Sequence, residues 1–313
     1  MISAVLKRLL RLASFEYKYG KIIPIRAAGA QYHKPVLDAS AGNSFIANKI
    51  NAEAPFLAGR IGTTELYLLL HYLHYKRKKK IPWSDYHGQI IWQQSGIFPA
   101  TENSLRSFCD VYMDAIKQTD VMGVWNDFGE DEVLRRYAKR VDLIPLQSLE
   151  PYFFDGPWSK MLAGKKVLVV HPFTDSIYHQ YVNNREFLFK DPAVLPTFEI
   201  KVVKAVQAQV FNTTGFQSWQ EIFNHLKASI LQQEFDIAII GAGGYGLPLA
   251  AWIKALGKQA IHMGGATQIL FGVKGKRWEE REEFSSFFNN YWCNPSVSER
   301  PKQAVLLEGG AYW

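Results

Sequence analysis

Cysteine is scarce in this 313-residue chain: Cys109 and Cys293 stand far apart, with no Cys-x-x-Cys pair and no Cys/His ladder. That excludes a disulfide framework and a zinc knuckle and fits a reducing compartment. Long apolar runs are missing too. The least charged stretch, 237–253, follows Asp236 and is broken by four glycines and Pro248, so no transmembrane helix is expected. Lys7, Arg8 and Arg11 interrupt what a signal peptide would keep apolar, so none is expected at the N-terminus. Internal repeats and low-complexity segments are absent as well.

Charge of one sign is unevenly spread. The chain carries +7 overall, yet residues 1–26 hold +5 and the run Lys76-Arg77-Lys78-Lys79-Lys80 another +5, leaving a mildly acidic body. Two local patches suit an anionic membrane surface better than a continuous nucleic-acid track, and no nucleic-acid partner is expected. Ile2, Val5, Leu6, Leu9, Leu12 and Ala13 share one face of a helix, with Lys7, Arg8 and Arg11 opposite. Such a helix can lie at a membrane interface or dock on its own core, and the sequence leaves both open.

What is there in abundance is apolar and aromatic residue, enough for a large core. From residue 50, short apolar runs alternate with helical periods, the pattern of an α/β fold: a Rossmann-like, mostly parallel sheet with helices on both faces. Seven strands are predicted, at 55–59, 121–125, 143–146, 166–170, 198–205, 235–240 and 259–263. The clearest helices carry Leu105, Phe108, Cys109, Tyr112, Met113 and Ile116, then Trp219, Ile222, Phe223, Leu226 and Ile230. The expected organisation is an N-terminal amphipathic helix and lead-in (1–49), one Rossmann-like domain (50–280) and a tail wrapped over it (281–313), because Tyr291, Trp292, Tyr312 and Trp313 are poor residues to leave in water.

In such a sheet, ligands bind beyond the carboxyl ends of strands. Four loops there are unusual. Arg60-Ile61-Gly62-Thr63-Thr64-Glu65 sets an arginine, a glycine and a carboxylate at a helix start, where Glu65 is either a first-turn acid or a ligand for a metal or a sugar hydroxyl. Trp125-Asn126-Asp127-Phe128-Gly129 reads as a turn that offers a second carboxylate. His171-Pro172-Phe173-Thr174-Asp175-Ser176 puts a histidine at a strand end. Gly241-Ala242-Gly243-Gly244-Tyr245-Gly246 follows a buried-type strand and opens a helix, matching G-x-G-x-x-G. Its glycines let backbone N–H groups approach a phosphate. A nicotinamide or flavin site is disfavoured, since the next strand ends in His262-Met263-Gly264-Gly265 without a ribose-binding acid and too little chain remains for a full dinucleotide fold. Downstream, Gln268, Lys274, Lys276 and Arg277 among glycines form a loop able to bring cations onto phosphate, with Trp278 available to stack on a base or sugar.

Together, Arg60-x-Gly62-x-x-Glu65, the Gly241–Gly246 turn and the run Gly257-Lys258-Gln259-Ala260-Ile261-His262-Met263-Gly264 resemble the bacterial glycosyltransferases of the GT-D fold type and their relatives among capsule and surface-polysaccharide proteins. Gly264-Gly265-Ala266-Thr267-Gln268, Lys274-Gly275-Lys276-Arg277-Trp278 and Glu308-Gly309-Gly310-x-Tyr312-Trp313 resemble one branch of them. The resemblance implies a nucleotide-sugar donor and an Asp-x-Glu pair holding Mn²⁺ or Mg²⁺. Here the pair falls on Thr63 and Glu65, so the aspartate is missing and Glu65 is left as the metal ligand. Donor phosphates are expected at Arg60, Gly62, Gly241, Gly243, Gly246, Gly264, Gly265, Gln268, Lys274, Lys276 and Arg277. The acceptor base is expected among Asp127, His171 and His262, with Glu65 as a further catalytic residue. The expected activity is transfer of a sugar to a lipid-linked or saccharide acceptor, by a cytoplasmic protein peripheral to the inner face of the membrane. A non-catalytic nucleotide-sugar-binding or assembly protein is the alternative.

Overall fold

A computed structural model describes residues 15–18, 21–24, 32–78 and 85–313. The helix expected over residues 2–13 lies outside them. The described chain starts with a hairpin, β1 (Phe15–Lys18) and β2 (Lys21–Pro24), paired from Phe15 opposite Pro24 to Lys18 opposite Lys21.

Seven parallel strands form the central sheet: β3 (Leu57–Gly59), β4 (Val121–Val124), β5 (Asp142–Pro145), β6 (Lys166–His171), β7 (Glu199–Lys204), β8 (Ile237–Ile240) and β9 (Gln259–His262). Their order is β5-β4-β3-β9-β8-β6-β7. Every strand expected from the sequence is present, within two residues of its expected ends, and the sheet is wholly parallel. Side chains alternate between faces as the pleat requires. Leu168, Val170, Ala238 and Ile240 point to one layer, and Val167, Val169, Ile237 and Ile239 to the other. Both layers are covered, which is why Val167–Val170 of β6 and Ile237–Ile240 of β8 are apolar throughout rather than alternating with polar residues.

On the first face lie α2 (Thr63–Lys78), α3 (Asp85–Ser95), α4 (Glu102–Gln118), α5 (Glu130–Tyr137), α7 (Trp219–Leu231) and α8 (Gly246–Ala255). On the second lie α1 (Ala39–Asn51), α6 (Thr174–Leu188), the single turns of 146–162 and the segments after β9. Helix α4 shows how sequence makes such an element. The Thr101 hydroxyl accepts from Ser104 N at 3.4 Å as N-cap, and Leu105, Phe108, Tyr112 and Ile116 bury one stripe. In α7, Ser218 plays the cap and Glu221 reaches back to accept from Gln217 N at 2.7 Å. Truncating a fully buried strand residue such as Ile239 to Ala costs about 2–5 kcal/mol in cores of this kind.

The tail is tied down by specific bonds. Glu299, 1% exposed, accepts from Asp175 N at 2.8 Å and from the Ser176 hydroxyl at 2.5 Å, so its carboxylate sits at the start of α6. Trp292 is buried, Trp313 Nε1 donates to Glu299 O at 3.2 Å, and Arg277 N donates to Ala311 O at 2.9 Å. Tyr291 departs from expectation: it is 46% exposed, with its ring stacked on Phe187 at 4.6 Å.

Candidate functional site

Strands β3, β9 and β8 are neighbours, but their connections part. The chain leaves β3 and β8 for helices of the first face, and β9 for the second. This opposition opens a crevice at the carboxyl end of β9, the place where open parallel sheets bind ligands. Arg60, Gly62 and Glu65 come to it from β3, Gly241–Gly244 from β8, and His262 and Gly264 from β9.

Arg60 is the central cation. Its guanidinium lies against Gly264, whose positive φ of 66° and missing Cβ make room for it, and over the Trp125 ring at 5.3 Å. Partly buried, it makes no ion pair among the described residues. Glu65 is 6% exposed; its carboxylate occupies the space a Gly62 side chain would fill, and a Cβ on Gly244 would sit 3.2 Å from its Oε1. Gly62 N donates to the Tyr112 hydroxyl at 3.3 Å, which fixes the turn from below. The crevice thus sets an unpaired cation against Gly264 and a carboxylate against Gly244.

The four glycines of the Gly241–Gly246 turn do different jobs. A Cβ on Gly241 would lie 2.6 Å from Gly264 O, and one on Gly246 would overlap the His262 ring, so both are needed for close packing of strand and helix. Gly243 has φ +53° and is exposed, beside the Gln209 amide. Gly244 is buried beside Glu65, Ser95 and Ile97. The turn is held from outside by the Tyr245 hydroxyl, which donates to Gly96 O at 2.7 Å.

The three bases expected from the sequence are all buried. His171 is 3% exposed, its Nδ1 accepts from Phe173 N at 3.0 Å, and burial pushes its pKa down to about 3. His262, 2% exposed, sits with Nδ1 3.3 Å from Ile240 O; burial, with the Arg60 charge added, takes it to about 3 as well. Neutral, dry imidazoles of such low basicity are poor proton acceptors at neutral pH. Asp127 is 1% exposed and accepts from the Thr63 hydroxyl at 2.8 Å. Thr63, standing where the metal-binding aspartate of the resembled enzymes would be, is therefore committed to Asp127.

The cations of the basic loop are paired within the fold. Lys274 Nζ lies 3.4 Å from Glu279, Lys276 Nζ 3.7 Å from Glu280, and Arg277 pairs with Glu308 and donates to the Tyr312 hydroxyl at 3.1 Å. Each cation has a carboxylate, so the loop offers little net charge to a phosphate. Gln268 is fully buried, its amide donating to Val273 O, Lys274 O and Tyr312 O at 3.2, 2.9 and 3.2 Å. Gly265 packs beneath the Tyr312 ring, and Trp278 is 3% exposed, leaving it no face for a base or sugar. These residues seat the tail.

Two buried acids escaped the sequence reading. Glu130 is fully buried and accepts from the Tyr32 hydroxyl at 2.7 Å and from Trp125 N and Asn126 N at 3.0 Å each, holding Asn126 at φ +61°. Burial pushes its carboxyl up to about 8. In the run Glu130-Asp131-Glu132 nothing but position in the fold sets it apart. Glu299 had a legible signal, Ser296-x-x-Glu299, which forms a capping box.

Among the described residues, no group of three or more His, Cys, Asp or Glu could hold a metal. No protein-family model matches the sequence, and no curated protein does. Two solved structures are similar at 12% identity with a TM-score of 0.42, over 82% of this chain and 92% of theirs. One is a selenomethionine-substituted structure of the domain of unknown function 1792, and the other a structure of that domain described as having a distinct glycosyltransferase fold. A similarity of this size leaves any activity to rest on the site itself.

Proposed function

We propose that the chain is a glycosyltransferase that takes a sugar from a nucleotide-sugar donor, with its diphosphate seated in the crevice beyond β9. The observation that carries the reading is Arg60: a partly buried guanidinium at a strand end, without an ion pair among the described residues, packed against Gly264 just beyond β9. A buried cation costs free energy unless it is paired, so a site that keeps one open is suited to an incoming anion. The start of α8 adds a favourable field for the same charge.

Glu65 bears on the metal. Its carboxylate beside Gly244 would repel a diphosphate placed on the same turn, so a cation is needed between them. Arg60 can supply it alone, or Mn²⁺ or Mg²⁺ can share Glu65 with the diphosphate oxygens and water, the habit of ions that keep few protein ligands. A bound ion would neutralise charge on the departing diphosphate. The chain offers it one carboxylate, which fits an ion brought in with the nucleotide and not a preformed cage. On this reading Mn²⁺ binds weakly alone and appreciably with nucleotide, and Glu65→Gln removes that dependence.

The setting extends the proposal: a lipid-linked acceptor in surface-polysaccharide assembly, reached from an anionic membrane through the basic N-terminal segment. Among the described residues no helix is long and apolar enough to cross a membrane. Closure of all three expected bases favours the rival, a nucleotide-sugar-binding protein without catalysis. Release of nucleoside diphosphate from a panel of UDP- and GDP-sugars separates the two: binding with turnover supports the transferase, and binding alone supports the rival.

A further inference from the structure

A transferase of this kind needs a group to take the acceptor's proton, and with His171, His262 and Asp127 closed off the next carboxylates along the carboxyl edge of the sheet become relevant. Strands β3, β4 and β5 are adjacent, and their following residues bring Arg60, Trp125 and, after the single turn 146–149, Glu150 to the same edge. The connection after β4 turns to the first face and that after β5 to the second, so the sheet opens between them as it does at β9.

We propose that Glu150 is the general base of this site, accepting the proton of the acceptor hydroxyl as that oxygen attacks the donor sugar. This rests on the transferase reading. Three observations carry it. Glu150 is partly exposed, unlike the other acids at this edge, Glu65, Asp127 and Glu130. The Tyr152 hydroxyl donates to its Oε2 at 2.8 Å, and among the described residues Oε1 takes no hydrogen bond, leaving one oxygen oriented and one open. The charged groups that reach it are Arg281, Arg60 and Glu283, so the cation assigned to the diphosphate lies within electrostatic range of the base. Burial raises the Glu150 carboxyl above the usual range, Tyr152, Arg281 and Arg60 lower it, and Glu283 raises it. A carboxylate raised in this way takes a proton more readily than an ordinary one.

The step balances without a further reactant. The acceptor O–H proton passes to Oε1 of Glu150, and the acceptor oxygen forms a bond to the anomeric carbon. The bond from that carbon to the diphosphate oxygen breaks, its electron pair staying on the diphosphate beside Arg60. Direct displacement with one base inverts the anomeric configuration.

The test uses the full-length protein with UDP-glucose, UDP-galactose, UDP-N-acetylglucosamine and GDP-mannose, with octyl glycosides or water as acceptor. Glu150→Gln keeps an oxygen for Tyr152 and should lower release of nucleoside diphosphate by about 100-fold or more while leaving UDP affinity unchanged. Activity should rise with pH as Glu150 loses its proton. Tyr152→Phe removes a hydrogen bond that lowers the carboxyl, so it should move that rise to higher pH, a shift a merely structural role would not give. Turnover by Glu150→Gln within threefold of wild type overturns the assignment and leaves the transferase reading standing. UDP binding with no sugar released by wild type to any acceptor supports the non-catalytic rival and removes the transferase reading, and the assignment of Glu150 with it. Failure of wild type to bind any of the nucleotides likewise removes the transferase reading itself.

Discussion

Arg60 and Lys276 carry the same charge in different surroundings. Lys276 meets Glu280 one helical turn away and is exposed, whereas Arg60 has Trp125 beneath it and no carboxylate partner among the described residues. The density of cations in the sequence pointed to the Lys274–Arg277 loop because composition records charges and not the acids that fold back on them; Glu308 lies far along the chain from Arg277. Lys276→Gln is accordingly expected to leave UDP affinity and stability unchanged, within about 0.5 kcal/mol, by calorimetry and urea unfolding. The histidines give a pH test. His171 and His262 each fall from 6.5 to about 3 on folding. The unfolded chain therefore binds more protons between those values. Stability from this source is complete above pH 6.5 and is lost as pH falls toward 3, by about 1.4 kcal/mol per unit for each histidine at the steepest. Urea midpoints measured from pH 7 to 4 should drop steeply, and His262→Gln should flatten the slope; a flat profile in wild type would contradict the buried neutral state.

At the scale of elements the parallel sheet was legible and the use of its loops was less so. Val167–Val170 of β6 and the whole of β8 are fully buried apolar runs bounded by turn residues, so their position followed from hydropathy alone. The Gly241–Gly246 turn was equally visible, but the motif does not say which glycine faces a ligand. In the fold Gly246 faces His262 and only Gly243 is exposed. Gly246→Ala should thus cost about 1–3 kcal/mol through overpacking, seen as a lower thermal midpoint, with the affinity of the remaining folded protein for UDP unchanged. The β4–α5 loop offers a second element test. Glu130 titrates near 8 in the fold against an ordinary 4.5, so folding favours its protonated form, and that contribution is lost as pH rises from 4.5 through 8. Glu130→Gln keeps an acceptor oxygen for Tyr32, Trp125 and Asn126 and has nothing to ionise. Its thermal midpoint should hold from pH 6 to 9 while that of wild type falls; parallel curves would show that Glu130 is ionised throughout.

For the molecule as a whole, the sequence's two basic patches and the crevice lie in different parts of the chain, and different partners are proposed for them. Residues 1–26 carry five net positive charges and should act on anionic vesicles. Deleting residues 1–15, or changing Lys7, Arg8 and Arg11 to Glu, should lower sedimentation with phosphatidylglycerol vesicles and leave UDP affinity intact. Equal sedimentation of both proteins would remove the membrane from the proposal. The central claim is that Arg60 binds the diphosphate of a nucleotide sugar, and isothermal calorimetry of UDP and uridine with wild type and Arg60→Gln tests it most directly. Wild type is expected to bind UDP more tightly than uridine, and Arg60→Gln to weaken UDP by at least tenfold, about 1.4 kcal/mol, with uridine unaffected. Equal affinity of wild type for UDP and uridine, or UDP binding untouched by Arg60→Gln, would contradict it.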